Sequence, residues 1–185
     1  MLLYLVNLAD NESDKKFIEE LYIKYIPWLR YKAYTMVKDS DISNDLAHDC
    51  MVKIINHIET VKNLPDNKVR SYLTVCIVNT TINYLNKASK ESTLKNLNLS
   101  DSFNLPDTCS VIEEVEQKYT YQMMYVAYKK LPLRDQSIIE MKITLELSDE
   151  HMSEILNVTK DSVRVLLSRS MKKLKEEMKK MEALS

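Results

Sequence analysis

Residues 148–175 read SDEHMSEILNVTKDSVRVLLSRSMKKLK, and this stretch decides the fold of the C-terminal part of the chain. Ser148 is a favourable N-cap, because its hydroxyl accepts a hydrogen bond from a backbone N–H one turn into a helix. Asn157 tolerates the left-handed conformation that ends a helix sharply, and Thr159 can cap a second helix. The stretch therefore predicts two helices joined by a three-residue turn, which is the helix-turn-helix pattern of DNA-binding proteins.

The second of these helices is cationic. Residues 160–180 contain eight lysines and arginines against three acidic residues, so the segment has a charge of +5 while the whole chain has −1. Phosphate binding requires cations gathered on one surface, which favours DNA binding over an ordinary helical hairpin with a solvated basic face. The acidic remainder argues against a protein that coats DNA without sequence preference.

The composition predicts an all-α protein in a reducing compartment. The 185-residue chain is 45% hydrophobic and contains no glycine, which excludes glycine-rich phosphate loops and disfavours tight β-hairpins. Cys50, Cys76 and Cys109 are far apart, and the first two are predicted to be buried free thiols. The apolar start of the chain is too short to span a membrane and has no secretion signal, so we expect a cytoplasmic protein without membrane insertion.

No enzyme site is visible in the sequence. His48, His57 and His151 lack the spacing of metal ligands, and no nucleophile has a plausible base beside it. We therefore expect no catalytic activity, no metal and no cofactor.

Two helical blocks flank a polar connector, which predicts a domain over residues 1–88, a linker over 89–111 and a second domain over 112–185. The connector contains Pro106, many Ser, Asn and Asp residues, and no Lys or Arg after Lys95. Such a length without hydrophobic periodicity is typical of a flexible acidic linker.

Within the first block, hydrophobic periodicity predicts four helices. Pro27 is expected to interrupt or kink the first stripe, and a second helix is expected after it. Ser43 is the predicted cap of the third helix, and the fourth is expected over residues 68–87. Residues 62–67 are predicted to form a loop because of their proline and Asx residues.

Three strings in register resemble the bacterial extracytoplasmic-function sigma factors of the sigma-70 family. Their conserved region 2 is similar to FIEELYIKYIPWLRYKAYTMVKDSDISNDLAHDCMVKII, and the family's next helix is similar to RSYLTVCIVNTTINYLNK. Region 4 is similar to LPLRDQSIIEM followed by the helix-turn-helix. The resemblance implies a region 2 helical bundle and a region 4 helix-turn-helix domain on either side of the linker.

The resemblance also implies a function and its partners. Members of the family bind core RNA polymerase, through its β′ clamp and its β flap, and direct it to promoter DNA by recognising the minus-ten and minus-thirty-five elements. An anti-sigma factor is a further expected partner. The acidic linker is expected to thread into the polymerase, although a disordered acidic tether fits its composition equally well.

The residues expected to contact polymerase lie on the third predicted helix. Their spacing of i, i+3, i+4 and i+7 places them on one face, and the family's corresponding face meets the coiled coil of the β′ clamp. An ordinary solvated polar face is the alternative interpretation. The residues are Asp45, His48, Asp49 and Val52.

The minus-ten element is assigned by resemblance to the loop and the fourth helix. Side-chain amides suit base edges because they both donate and accept, and the cations suit phosphates. A solvent-facing polar row is the alternative for the asparagines. The candidate residues are Lys62, Asn63, Asn67, Lys68, Arg70, Asn79, Asn83, Asn86 and Lys87.

The second helix of the helix-turn-helix is expected to enter the major groove at the upstream element. Base-edge candidates are Lys160, Asp161, Ser162 and Arg164, and phosphate candidates are Arg169, Lys172 and Lys173. Leu166 stands where the family usually has an arginine, which puts one DNA contact in doubt. Glu146 and Asn157 stand where the family usually has glycine.

Two other functions stay open at this point. A stand-alone helix-turn-helix regulator that binds operators as a dimer would leave the region 2-like strings unexplained. A sigma mimic that only sequesters an anti-sigma factor would not need the cations of the recognition helix, whereas Leu166 would suit it.

Overall fold

The computed structural model describes residues 5–7, 9, 11–91 and 115–182, and this part of the chain is helical with no strand. The predicted all-α fold is confirmed. Eight helices are defined in these ranges: α1 Glu12–Val37, α2 Ser40–Ile55, α3 Ile58–Lys62, α4 Asp66–Glu91, α5 Val115–Lys129, α6 Leu133–Ile143, α7 Asp149–Leu156 and α8 Lys160–Glu182.

The chain divides into two compact units. The first consists of Met1–Leu97 with Glu154–Asn157, and the second of Asn98–Ser153 with Val158–Ser185. From residue 92 onward the predicted linker over 89–111 lies outside the described residues, so the proposed domain limits of 1–88 and 112–185 stay a prediction.

In the first unit, α1, α2 and α4 pack against one another around an apolar core. The largest fully buried side chains on these helices are Ile18, Leu29, Met51, Ile54, Tyr72, Leu73 and Ile77. Cys50 and Cys76 are buried free thiols, as predicted, whereas Cys109 is outside the described residues.

The two predicted helices on either side of Pro27 are one continuous helix of 26 residues, so the predicted interruption is wrong. Proline removes the hydrogen bond to the carbonyl four residues earlier, here that of Ile23. Ile23 is 63% exposed and Pro27 is also exposed, so water can hydrate that carbonyl. The packing of residues on both sides of Pro27 then holds the helix together.

The predicted cap of α2 is also wrong. Asp39 is the N-cap, and its side chain accepts from the Ile42 N–H at 2.9 Å. Ser43 lies one turn inside the helix, where it is buried and its hydroxyl donates to the Asp39 carbonyl. An aspartate is as good a cap as a serine, so the cap of α2 can lie four residues before Ser43.

The predicted loop over residues 62–67 is shorter than expected. Lys62 is the last residue of the short helix α3, and α4 already begins at Asp66. Pro65 therefore stands immediately before α4, where its missing N–H costs no helical hydrogen bond.

In the second unit, α8 packs against α5 and α6. Its core cluster contains Ala127, Tyr128, Leu131, Ile139 and Leu174, with Met178 and Met181 packed against it. A buried polar contact also joins α6 to α8, because the Asp135 carboxylate accepts from Ser170 Oγ and from Lys173 Nζ, each at 2.6 Å. These contacts fix the orientation of α8 within the unit.

The helix-turn-helix forms as its sequence predicts. Ser148 Oγ accepts from the His151 N–H at 3.2 Å, and Thr159 Oγ1 accepts from the Ser162 N–H at 3.3 Å. Asn157 has φ 53°, which is the predicted left-handed stop of α7. Glu146 adopts φ 55° before α7, so both positions at which the family usually has glycine take the left-handed conformation here.

No helix within residues 5–7, 9, 11–91 and 115–182 is long and apolar enough to cross a bilayer.

Candidate DNA and polymerase interfaces

The cations at the start of α8 form ion pairs with acidic residues of α7. Arg164 Nε donates to Asp149 Oδ2 at 3.1 Å, and Lys160 pairs with Glu150. Asp149 also accepts from Lys142 Nζ of α6 at 2.8 Å. The hydrogen bond from Lys142, followed by that from Arg164, holds the pKa of Asp149 below its ordinary value, and the hydrogen bond from Lys160 does the same for Glu150. Both acids are therefore ionised at neutral pH.

The other upstream-element candidates on α8 differ in exposure. Asp161 is exposed, whereas Ser162 is half-buried and its hydroxyl lies 2.8 Å from that of Thr159. Arg169 and Lys172 are exposed, as phosphate contacts require. Lys173 is exposed too, but its ammonium is paired with Asp135.

Leu166 is half-buried on α8. Its neighbour Val165 is exposed, so an apolar side chain is presented to solvent on the recognition helix. A leucine supplies neither a donor nor a charge, and contact with a thymine methyl group is the kind of DNA contact open to an apolar side chain.

The predicted polymerase face lies on α2 in the first unit. Asp45 and Asp49 are exposed one turn apart, whereas His48 and Val52 are half-buried. The acidic part of the predicted face is therefore accessible, and its apolar and imidazole parts are partly covered.

His48 is covered by α1. Its Nε2 lies 3.2 Å from the Tyr22 hydroxyl and 3.4 Å from Arg30 Nη2, and its ring lies parallel to that of Tyr22. Burial, and then the positive charge of Arg30, lower the pKa of His48, so the imidazole favours the neutral form. Here His48 joins α1 to α2.

The candidate residues of the minus-ten region begin at the end of α3. Lys62 pairs with Asp14 at the start of α1, and its Nζ lies 3.6 Å from Glu59 Oε1. Asn63 donates to the Glu59 carbonyl at 2.8 Å and so caps the end of α3. Lys62 is thus tied into the first unit by two carboxylates.

Three further candidates stand at the start of α4. Asn67 is exposed and Lys68 is half-buried. Arg70 is exposed, and its guanidinium carbon lies 5.2 Å from the ring centroid of Trp28 on α1, within cation–π distance.

The asparagines further along α4 do not form a uniform solvent-facing row. Asn79 is only 2% exposed, lies within residues 71–82, all of which are buried, and donates to the Val75 carbonyl at 2.7 Å. Asn83 is half-buried, while Asn86 and Lys87 are exposed. The burial of Asn79 is compatible neither with a solvent-facing row nor with contact to a base edge, and the assignment of the other residues to DNA stays a prediction.

Sequence reasoning missed the acidic partners of the candidate cations. These partners are Asp14 for Lys62, Asp135 for Lys173, Asp149 for Arg164 and Glu150 for Lys160. The pairs are separated by 10 to 48 residues and follow no helical spacing, so no sequence signal identifies them. In the part of the chain that the structure describes, no three His, Cys, Asp or Glu side chains are grouped as metal ligands.

Comparisons with known proteins find the following similarities. Residues 21–91 match the family model of sigma-70 region 2. The RNA polymerase sigma factor SigV of Bacillus subtilis (strain 168) is 25% identical over 149 residues, which are 80% of this chain and 82% of that protein. A solved structure of the sigma factor RpoE in complex with the anti-sigma factor NepR, from Bartonella quintana, is 18% identical with a TM-score of 0.43, covering 89% of this chain and 98% of the other. The region 2 match runs from within α1 to the last residue of α4.

Proposed function

We propose that the chain is an extracytoplasmic-function member of the sigma-70 family, and that it binds core RNA polymerase and directs it to promoters with specific minus-ten and minus-thirty-five elements. The observation that carries this proposal is the match of residues 21–91 to sigma-70 region 2 in a chain that also has a C-terminal helix-turn-helix. A stand-alone regulator has no use for region 2.

The acidic face of α2 is the proposed contact with the β′ clamp. Asp45 and Asp49 are exposed and one turn apart, and neither has an ion-pair partner among the described residues. Two unpaired carboxylates on one helix face suit a basic partner surface, because a rim charge contributes to the rate and the specificity of association. The β flap is the proposed contact of the second unit.

Promoter DNA is the proposed ligand of two surfaces. Exposed polar and cationic residues at the start and end of α4 would meet the minus-ten element, and the first turns of α8 would enter the major groove at the upstream element. An anti-sigma factor is the proposed regulator of both activities.

Run-off transcription with core polymerase and a promoter library tests this function. We expect the wild-type chain to direct initiation from a subset of promoters. The double reversal Asp45→Lys with Asp49→Lys should lower polymerase binding and transcription by about tenfold or more, since it places two like charges against a basic surface.

The matched control is Glu19→Lys with Glu20→Lys. These residues are exposed on α1, and the change in net charge is the same. A fall in polymerase binding and transcription that is confined to the α2 variant supports the assignment. An equal fall in both variants, or no fall in either variant, contradicts it. Tight operator binding without polymerase, together with no promoter-dependent transcription, would instead identify a stand-alone regulator. A sigma mimic would bind an anti-sigma factor and give neither result.

A further inference from the structure

One carboxylate in the second unit connects three helices. Asp149 in the first turn of α7 accepts from Lys142 of α6 at 2.8 Å and from Arg164 of α8 at 3.1 Å. The Asp149 side chain is 18% exposed, whereas that of Arg164 is 67% exposed. The acid is therefore held inside the motif while the arginine extends toward solvent.

The atom that Arg164 uses in this contact has a chemical consequence. Its hydrogen bond to Asp149 is made by Nε, and the two Nη groups have no acceptor among the residues that the structure describes. A guanidinium presents five N–H donors in one plane, and the O6 and N7 acceptors of guanine are commonly bound by a pair of such donors. The ion pair thus leaves the terminal donors of Arg164 available for a base edge.

The contact also limits the freedom of a long side chain. Immobilising a rotamer-rich side chain at an interface costs conformational entropy, and a side chain already held in place avoids part of that cost. Asp149 is itself held, because Lys142 binds its other oxygen and the N-terminus of a helix favours a negative charge.

We propose that Asp149 is a positioning residue that orients Arg164 for guanine recognition in the major groove, with Lys142 holding the carboxylate. The inference rests on the proposed function, since it requires the upstream element to be read by α8. A negative charge this close to DNA repels phosphates, so Asp149 lowers the affinity for any duplex. It also raises the difference in affinity between duplexes with the recognised sequence and duplexes without it.

The experiment uses the full chain bound to core RNA polymerase and a library of promoter duplexes randomised across the upstream element. Comparison of wild type with Arg164→Ala first defines the position at which Arg164 selects guanine. Asp149→Asn should then lower guanine selectivity at that position by about tenfold, which is within the range that one bidentate base contact provides. Preferences at the other positions should persist, and total binding should stay equal or rise.

Two controls distinguish the orientation of Arg164 from the mere loss of a negative charge on α7. Glu150→Gln removes the same charge from the adjacent residue, but the contact that it breaks is with Lys160 and not with Arg164. This variant should therefore keep the guanine selectivity at the DNA position that Arg164 selects. Asp149→Asn in the Arg164→Ala background should have no further effect on selectivity, because the acid acts through the arginine.

Each remaining outcome decides the inference. If Asp149→Asn keeps the guanine preference, or Glu150→Gln loses it equally, Asp149 does not position Arg164. If Asp149→Asn fails to fold by circular dichroism, Lys142→Met replaces it, and an undiminished preference in that variant overturns the proposal. If the wild-type protein transcribes from selected promoters but Arg164→Ala alters the base preference at no position of the upstream element, the inference fails and the proposed function stands. If wild type selects no promoter at all, the proposed function fails.

Discussion

The pairing of Asp14 with Lys62 shows how one buried acid can fix the edge of a proposed DNA-binding segment. Asp14 is 8% exposed at the start of α1, and Asn11 donates to its Oδ2 at 2.9 Å. Lys62 comes at the end of α3, where the connection to α4 begins. An acid that is buried and hydrogen-bonded on both oxygens costs free energy when one partner is removed, because its charge is then left uncompensated.

This pair predicts a pH dependence of stability. The hydrogen bond from Lys62 lowers the pKa of Asp14, so the carboxylate stabilises the fold above the unfolded pKa of about 3.9 and loses that contribution as the pH falls through the folded pKa. Asp14→Asn should lower the free energy of unfolding at pH 7, and the gap to wild type should close on acidification. Denaturant unfolding followed by fluorescence of Trp28, the single tryptophan, reports this unit.

Glu20→Gln is the control, since Glu20 is exposed on the same helix. It should show a small difference from wild type that does not close at low pH. A gap between Asp14→Asn and wild type that persists unchanged below the folded pKa would show that the ion pair is not the cause.

The structural features that the sequence predicted are those set by neighbouring residues. Ser148, Asn157 and Thr159 act within three or four positions of themselves, so their types and spacing were sufficient. Asp14 and Lys62 are 48 residues apart, and Asp149 and Arg164 are 15 apart across a turn. Such pairs depend on how helices pack, and residue type alone does not indicate them.

At the scale of the element, α1 shows packing overriding a local signal. Proline in a helix interior costs about 3 kcal/mol relative to alanine, yet α1 continues through Pro27. Ile26 and Leu29 on either side of it are buried, so their burial offsets the cost. Helix propensity accounts for the cost of the proline but not for the burial of its neighbours in the core, which explains why two helices were expected.

This interpretation predicts that Pro27→Ala stabilises the first unit. The substitution restores an N–H donor to the Ile23 carbonyl and removes the clash of the proline ring with it, so the free energy of unfolding should rise by about 1–3 kcal/mol. Denaturant unfolding measures the change. Glu20→Ala, at another exposed position of α1, should gain only a few tenths of a kcal/mol. A loss of stability in Pro27→Ala would mean that the core requires the local geometry that proline imposes.

At the scale of the whole molecule, the charge of α8 is smaller than its sequence indicates. Three of its eight cations pair with acids outside the segment, namely Lys160, Arg164 and Lys173. Lys172 and Lys180 have acidic neighbours within the helix, Glu176 and Glu177. Arg169, Lys175 and Lys179 have no ion-pair partner in the described part of the chain. A chain with net charge −1 and few unpaired cations is poorly suited to holding DNA alone.

The salt dependence of DNA binding by the chain without polymerase tests this charge balance. Each phosphate neutralised contributes about −0.9 to the slope of log K against log salt concentration. Three unpaired cations therefore give a slope of about −3, whereas all eight would give about −7. Fluorescence anisotropy of a labelled promoter duplex between about 50 and 200 mM salt measures the slope.

Variants identify which cations contribute to that slope. Arg169→Ala should make the slope shallower by about 1, since it removes one unpaired cation. Lys173→Ala should change the slope little, because Asp135 already neutralises the ammonium of Lys173. A wild-type slope near −7 would show that the ion pairs open when DNA binds. Asp135, Asp149 and Glu150 would then be displaced by phosphates, and the affinity of the polymerase-bound protein would depend on the strength of these pairs as well as on α8 itself.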